Sequence, residues 1–267
     1  MEKVDRLGWA DGMAFRAFGV RIGIRVSEKG YIRQIKRVLP PGWEPLTTTR
    51  VEHLFSLRIG GTSPRSKIRR FHLLYLDSAR ISRTMDLEEA LKALETNLQF
   101  IVSLEAPKRL FVHAGVVAWE NRAILIPGPS FSGKSTLVSE LVRAGAVYYS
   151  DEYAVLDERG RVHAYPRPLA TREGGIERGR SRSTKEKLKP LPVGTILVTR
   201  YTSGARWNPR VLTPAQAALE LLANTVAARP RPQFAMETIT RALRRAQAVK
   251  SSRGEAEQVV QAVKELA

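Results

Sequence analysis

Apolar and polar residues alternate in short runs through the first third of the chain. Residues 14–26 and 53–59 show this period of two clearly, and residues 71–76 show it more loosely. Such alternation is typical of β-strands with one buried face. Clusters of glycine and proline separate the runs and favour turns. The pattern therefore predicts a small, mostly antiparallel β-rich domain over residues 1–84.

A helical period replaces the alternation in residues 85–107. Leucine, isoleucine and valine recur every three or four positions from Leu87 to Val102, which places them on one face of a helix. Asp86 precedes this run as a suitable N-cap, and Pro107 ends it. We therefore expect a connecting helix with an apolar stripe that serves packing.

The region 108–267, expected to form a larger domain, begins with two apolar runs that a short polar segment separates. This arrangement predicts an antiparallel β-hairpin. If the turn centres on Glu120 and Asn121, antiparallel pairing places His113 opposite Gly128. A histidine is therefore expected beside the segment that follows the second strand.

The rest of this region alternates between helical and extended patterns. We expect a helix over residues 135–143, a strand over residues 146–150 and another strand over residues 192–199. Three amphipathic helices are predicted to close the chain, over residues 213–222, 236–249 and 254–266.

Residues 128–136 read GPSFSGKST and match the phosphate-binding pattern G-x-x-x-x-G-K-[ST] between a predicted strand and a predicted helix. Glycines let the backbone bend so that successive N–H groups point at one anion, and the helix start adds its positive dipole end. The pattern predicts ATP binding, with Lys134 on the outer phosphates and Ser135 on Mg²⁺. All nine residues are candidate nucleotide contacts: Gly128, Pro129, Ser130, Phe131, Ser132, Gly133, Lys134, Ser135 and Thr136.

Two acidic residues, Asp151 and Glu152, follow the predicted strand that ends at Ser150. Only one helix and one strand separate them from Lys134, whereas transport and chaperone ATPases place several elements between the loop and its acidic strand. Acids in this position suit Mg²⁺ binding, and an acid near His113 suits proton acceptance from a hydroxyl. The spacing therefore favours a phosphotransferase site over such an ATPase.

Composition indicates an ordinary globular protein of 267 residues, of which 43% are apolar. The N-terminus is charged, and no apolar run approaches the roughly 18 residues of a membrane span. We therefore expect a cytoplasmic protein without a membrane span. The chain has no cysteine, and its four histidines lie too far apart for a local ligand cluster, which argues against structural zinc.

The net charge of +18 fits an acidic substrate, nucleic acid or acidic lipid as partner, and it also serves solubility. Basic residues are not interleaved with aromatic residues along a helix, and no zinc-finger or RNP-type signature occurs. Nucleic acid is therefore not favoured as a partner. The densest basic stretch, from Arg167 to Lys189, contains several glycines and predicts a mobile loop.

Three segments together resemble the catalytic domain of HPr kinase/phosphorylase and its relatives. These segments are Val112 to Gly115, Gly128 to Thr136, and Ser150 to Glu152. The resemblance covers residues 110–158 well and is poor beyond residue 170. The preceding helix and β-rich region also resemble the front half of shorter HPr-kinase-related proteins.

The resemblance implies an α/β (α+β) fold, with a mixed-sheet P-loop domain of the phosphoenolpyruvate-carboxykinase type behind the β-rich domain. It also implies ATP-dependent phosphorylation of a serine hydroxyl. By position, Lys134 would neutralise the β- and γ-phosphates, and Ser135 would bind Mg²⁺. Asp151 would be the general base, His113 would orient or tune it, and Glu152 would assist with the metal.

The chain departs from the family pattern at three places. Glu152 stands where full HPr kinases have Asp, and Phe131 stands where relatives commonly have Gly. Because a positive φ is unfavourable for Phe, we expect a different local backbone there. The Glu-Val-Arg-Gly hallmark is replaced by Ala170 to Gly175, within which Arg172 is a candidate contact for phosphate or substrate. These departures argue against HPr itself as the substrate and against phosphorolysis.

Two other functions remain open from the sequence. One is a nucleotide-dependent binding module without phosphoryl transfer, which is favoured if His113, Lys134 and Asp151 do not approach a common point. The other is a nucleic-acid-associated ATPase, which requires a continuous basic groove that leads to the loop. For a kinase, peptide, protein and small-molecule hydroxyls all fit as acceptors, acidic ones included. Homo-oligomers occur in the family, but no feature of this chain predicts assembly.

Overall fold

A computed structural model describes residues 3–48, 50–62, 69–167, 169–170, 176–177 and 188–266. The chain divides into two compact units, Met1–Pro107 and Lys108–Ala267. The described residues include two large mixed sheets and six α-helices, which is an α+β arrangement. None of the helices in these residues is both long enough and apolar enough to cross a membrane.

The first unit is built on a six-stranded sheet of order β3-β1-β2-β4-β7-β8. All neighbours pair antiparallel except β2 and β4, which confirms the prediction of a mostly antiparallel β-rich domain. Alternate residues such as Phe15, Ile22 and Phe55 are fully buried. A 3₁₀-helix (Lys3–Leu7) and helix α1 (Ile32–Ile35) accompany eight strands: β1 (Asp11–Ala17), β2 (Val20–Val26), β3 (Glu44–Leu46), β4 (His53–Arg58), β5 (Gly61–Thr62), β6 (Arg69–Arg70), β7 (His72–Leu76) and β8 (Ala79–Thr84).

Helix α2 (Leu87–Glu105) has the bounds that its sequence signals predict. The Asp86 side chain accepts a 2.8 Å hydrogen bond from the backbone N–H of Glu88 and so caps the helix. Leu94 and Leu98, on the apolar stripe, are fully buried. The helix packs against β7 and β8, and therefore contributes to the core of the first unit.

The second unit contains an eight-stranded mixed sheet with the order β13-β12-β9-β10-β16-β18-β17, and β11 pairs with β9 off this path. Strands β10, β16 and β18 run parallel to one another, whereas β9 is antiparallel to β10. The strands are β9 (Arg109–Trp119), β10 (Arg122–Pro127), β11 (Val147–Ser150), β12 (Tyr153–Asp157), β13 (Val162–His163), β14 (Leu169–Ala170), β15 (Ile176–Glu177), β16 (Val193–Tyr201), β17 (Arg210–Val211) and β18 (Gln247–Arg253). The helices are α3 (Lys134–Arg143), α4 (Pro214–Ala223), α5 (Pro232–Leu243) and α6 (Ala256–Glu265).

The β9–β10 hairpin has the predicted register. Its two-residue turn has positive φ at both Glu120 (45°) and Asn121 (63°), the geometry that matches the twist of a hairpin. Pairing runs from Arg122 and Trp119 to the level of Pro127, after which the Gly128 N–H donates to the His113 carbonyl at 3.3 Å. The prediction that His113 lies opposite Gly128 is confirmed.

Helices cover both faces of this sheet. Helices α3 and α6 bury one face through Leu137, Leu141 and Val259, while α4 and α5 bury the other through Leu221 and Ile239. Along β9, the side chains therefore alternate between two apolar layers, because successive residues of a strand point to opposite faces.

One predicted helix, over residues 236–249, is wrong in its second half. Helix α5 ends at Leu243, and Gln247–Arg253 forms strand β18 instead. This strand pairs with β16 on one side and β17 on the other, and its Ala248 and Val249 are buried. Tertiary pairing overrides the local helical pattern, because a short apolar segment fits either structure.

Candidate functional site

The candidate phosphate-binding loop, residues 128–133, connects the carboxyl end of β10 to the start of α3. Gly133 is the N-cap residue of α3 and has a φ of 90°, a conformation that favours glycine. The helix begins directly at Lys134, so its unpaired backbone N–H groups and its dipole lie at the loop. This arrangement suits the binding of an anion.

Phe131, at the tip of the loop, has a φ of 64°. The expectation that phenylalanine avoids a positive φ here is therefore wrong, since Phe131 adopts the left-handed conformation that favours glycine. This conformation costs about 1–2 kcal/mol for a residue with a side chain. The ring is also 92% exposed, so packing within the described part of the chain does little to offset this strain.

Two residues near the chain's C-terminal part hold the loop backbone in place. The Tyr201 N–H donates to the Ser132 carbonyl at 3.1 Å, and the Arg253 guanidinium donates to the Gly133 carbonyl at 2.7 Å. Arg253 is only 1% exposed and is not among the site residues that the sequence predicts. No local pattern identifies it, because its role depends on strand β18 lying beside the loop.

The approach of Arg253 also explains the glycine at position 133. A Cβ atom on Gly133 would lie 2.6 Å from Nη2 of Arg253. A second close approach occurs where β9 packs on α3, since a Cβ atom on Gly115 would lie 2.6 Å from Cγ2 of Val138. Both glycines therefore let neighbouring elements come close to the loop.

Lys134 is 6% exposed, and its ammonium donates a 2.7 Å hydrogen bond to the Pro129 carbonyl within the loop. Burial lowers the pKa of Lys134, whereas the nearby carboxylates of Glu152 and Asp151 raise it. The ammonium thus lies against the loop backbone, with both acids close enough to influence its charge. Pro129 and Ser130 of the loop and Thr136 in the first turn of α3 are exposed to solvent.

Asp151 follows β11, and two hydroxyl groups hold its carboxylate. Tyr148 donates a 2.7 Å hydrogen bond to Oδ1, and the Ser135 hydroxyl also hydrogen-bonds to the carboxylate. Burial raises the pKa of Asp151 and the neighbouring charge of Glu152 raises it further, while these two hydrogen bonds lower it. Burial also raises the pKa of Tyr148, so Tyr148 stays a hydrogen-bond donor.

Glu152 lies beside His113, with 3.6 Å between Oε1 and Nε2. The interaction with the His113 imidazole lowers the pKa of Glu152, and the charges of Arg167 and Lys134 lower it too, against the opposite effect of burial. Strand pairing explains the contact, because Tyr153 on β12 is the direct partner of His113 on β9.

The structure therefore brings together Lys134, Ser135, both acids and His113 around the start of α3. The acid that contacts His113 is Glu152. The carboxylate of Asp151 is held instead by Tyr148 and Ser135. The expected partner of His113 was Asp151, and no sequence pattern marks Tyr148 as part of the site. Arg172 and most of the basic stretch that contains it lie outside the described residues.

The side-chain oxygen atoms of Ser135 and Asp151 fit Mg²⁺ as ligands. These groups hydrogen-bond to each other at the helix start, and hydroxyl and carboxylate oxygens are ligands that Mg²⁺ accepts. Within the described ranges no group of three or more His, Cys, Asp or Glu residues is arranged to hold a metal. A magnesium ion here would thus depend on phosphate oxygens and water for most of its ligands, as Mg²⁺ commonly does.

A cavity of about 510 Å³ adjoins the loop on the side of β16 and β18. Its wall includes the loop residues Gly128, Pro129 and Ser132, and most of its other lining residues are polar. The hydroxyl of Ser132 is buried without a hydrogen-bond partner in the described structure. Such orphan groups are uncommon in folded proteins, which makes this part of the loop a place where a ligand is expected.

Comparison of the chain with protein-family models and with curated proteins gives no match.

Proposed function

We propose that this protein is an ATP-dependent kinase of the HPr-kinase-like type, with a P-loop domain akin to that of phosphoenolpyruvate carboxykinase. The kinase transfers the γ-phosphoryl group to a serine-type hydroxyl of a peptide, protein or small molecule. The observation that supports this proposal is the grouping of the Lys134 ammonium with the carboxylates of Asp151 and Glu152 at the N-terminus of α3.

Lys134 and the helix start form the phosphate-binding part of the mechanism. The ammonium donates to the Pro129 carbonyl, a contact that it would exchange for oxygens of the β- and γ-phosphates of ATP. Because phosphoryl transfer passes through a loosely bonded transition state, such positioning and charge neutralisation account for most of the catalysis.

Asp151 is the proposed general base for the acceptor hydroxyl. Burial raises its pKa, which increases its affinity for a proton, while the Tyr148 hydroxyl fixes one carboxylate oxygen. Bound Mg²⁺ would supply further neutralisation of phosphate charge, with Ser135, Asp151 and Glu152 as the residues that hold it.

Glu152 and His113 support this base. The lowered pKa of Glu152 keeps its carboxylate ionised beside the imidazole, so that a negative charge stays next to the proposed phosphoryl site. In this role His113 orients Glu152, and through Glu152 it sets the electrostatic surroundings of both Asp151 and Lys134.

The test is to incubate the protein with γ-labelled ATP, Mg²⁺ and a fractionated cell extract as the source of acceptors. Lys134→Ala and Asp151→Asn are the variants, and Lys29→Ala, an exposed lysine of the first unit, is the matched control. We expect label transfer by the parent and the control, and a loss of about 10²-fold or more in Lys134→Ala. Transfer that is equal in all four proteins refutes the proposal.

Two other outcomes identify the alternative functions. Release of labelled phosphate without transfer to any acceptor favours an ATPase, whose nucleic-acid dependence is then tested by its salt sensitivity. ATP binding with neither release nor transfer favours a nucleotide-dependent binding module.

A further inference from the structure

The cavity beside the phosphate loop lies at the carboxyl ends of the three parallel strands β10, β16 and β18. Val198, Lys250 and Arg210 stand side by side on β16, β18 and β17, and all three line it. Ligands of open α/β sheets bind outside the carboxyl ends of parallel strands. The position of the cavity is therefore that of a ligand site.

The sheet order separates this cavity from the acidic residues. Asp151 and Glu152 follow β11 and precede β12, which both pair with β9 on one side of the hairpin. The cavity lies on the other side, where β10 neighbours β16. The loop follows β10 and so runs between the two regions, with the acids on one side and the cavity on the other.

The cavity wall offers unused polar groups. Besides Ser132, the lining residue Thr199 carries a buried hydroxyl that has no partner within the described residues. Arg200 and Arg210 also line the cavity. Neither guanidinium forms an ion pair with an acidic side chain among the residues that the structure describes. Such hydroxyls and guanidinium groups suit a polar ligand with a planar part, because guanidinium stacks on aromatic faces and binds phosphate.

The cavity wall also contains an ion pair. The Lys250 ammonium forms an ion pair with the Glu220 carboxylate of α4, and both residues line the cavity. Asn224, at the end of the same helix, also lines it, and its backbone carbonyl accepts a 2.7 Å hydrogen bond from the backbone N–H of His113. The carboxyl end of helix α4 is thereby joined to β9.

We propose that this cavity binds the nucleoside end, ribose and base, of the triphosphate whose outer phosphates lie at Lys134. This inference rests on the proposed function. Arg200 and Arg210 contact the base, Glu220 and Asn224 face the ribose or the base edge, and Ser132 and Thr199 carry their buried, unpaired hydroxyls in the wall beside the ligand. The volume of about 510 Å³ falls within the range of small-molecule sites.

The experiment compares the binding of Mg²⁺-ATP and of inorganic tripolyphosphate, which has the phosphates but no nucleoside, by titration calorimetry. Arg200→Ala removes a cation from the cavity, and Ser252→Trp fills it from an exposed position on its wall. Arg245→Ala, an exposed arginine away from the cavity, is the matched control. Thermal unfolding of each variant shows whether it is folded.

We expect both cavity variants to bind ATP about tenfold more weakly while their affinity for tripolyphosphate changes less than about twofold. Lys134→Ala should weaken both ligands, and Arg245→Ala neither. Cavity variants that bind ATP as the parent does overturn the inference, and if they also lose phosphoryl transfer, the cavity holds the acceptor instead. If Lys134→Ala leaves ATP binding unchanged, the proposed function itself fails, whatever the cavity variants do.

Discussion

The Arg253 guanidinium donates a 2.7 Å hydrogen bond to the backbone carbonyl of Gly133, which lies 120 residues earlier in the chain. A second hydrogen bond, of 2.9 Å, joins its Nη1 to the Gly254 carbonyl. The side chain is almost wholly buried, and burial lowers its pKa. A buried cation thus fixes the last glycine of the phosphate loop and places positive charge at the anion site.

This relationship predicts the behaviour of variants at position 253. Arg253→Met should reduce the free energy of unfolding by about 2 kcal/mol, because the Gly133 and Gly254 carbonyls lose their donor. It should also weaken ATP binding about tenfold, since the loop is no longer fixed. Arg253→Lys keeps the positive charge but lacks the planar guanidinium. Its free energy of unfolding and its ATP affinity should lie between those of the parent and of Arg253→Met.

Urea unfolding and ATP titration measure these two effects separately. The titration is done at a temperature at which all three proteins are folded. Equal ATP affinity in the parent and in folded Arg253→Met would show that the arginine does not position the loop.

At Phe131, in contrast to Arg253, a substitution is expected to increase the free energy of unfolding. Phe131→Gly should raise the free energy of unfolding by about 1 kcal/mol, because glycine adopts the φ of 64° without strain and an exposed ring loses little packing. Phe131→Val should lower it, since a β-branched residue is the least tolerant of positive φ. Thermal unfolding of both variants checks this, and a Phe131→Gly protein that is less stable than the parent would contradict it.

The environment of Asp151 predicts a pH effect. Asp151 acts as a base only when its carboxyl group is ionised, and burial raises the pKa of that group. As the pH is lowered, the rate of transfer should therefore begin to fall at a higher pH than it would with an ordinary carboxyl group as the base. The hydrogen bond from Tyr148 lowers that pKa. Tyr148→Phe removes it, so the acid limb of kcat/KM should move to higher pH.

The pH profile of label transfer measures this shift directly. Tyr149→Phe is the matched control, because the Tyr149 hydroxyl donates to the Lys189 carbonyl and not to Asp151. An acid limb that moves to lower pH in Tyr148→Phe, or that moves equally in both variants, would rule out the assigned role of Tyr148.

Gly115 tests how closely β9 must approach α3. Gly115→Ala should destabilise the protein by about 1–3 kcal/mol, because its Cβ atom would lie 2.6 Å from Cγ2 of Val138. The double variant with Val138→Ala removes the clash, so it should be more stable than the sum of the two single changes predicts. Additive losses in chemical unfolding would show that the close contact is not the cause.

Local signals in the sequence predicted much of the second unit's site. The register of the β9–β10 hairpin followed from the turn at Glu120 and Asn121, because antiparallel pairing fixes every later pair once the turn is placed. The contact between Gly128 and His113 is a direct consequence. The loop motif likewise predicted the strand, the glycine-rich turn and the helix that starts at Lys134.

Other features of the site depend on which of several neighbouring side chains, among them Asp151 and Glu152, point towards His113. Sequence alone did not distinguish Asp151 from Glu152 as the partner of His113, since the irregular register between β11 and β9 shifts the side chains that follow. Tyr148 reads as a buried aromatic residue in the sequence, and only the position of its hydroxyl beside Asp151 reveals its contact.

The amino-acid sequence by itself determined the hairpin, the loop, helix α2 and the order of the acidic residues, because turn geometry, capping and periodicity act over a few neighbouring residues. Only the tertiary structure decided that residues 247–253 form a strand, that Arg253 reaches Gly133, and that a cavity opens beside the loop. These features arise from pairing and burial between groups far apart in the chain, and no local preference encodes such contacts.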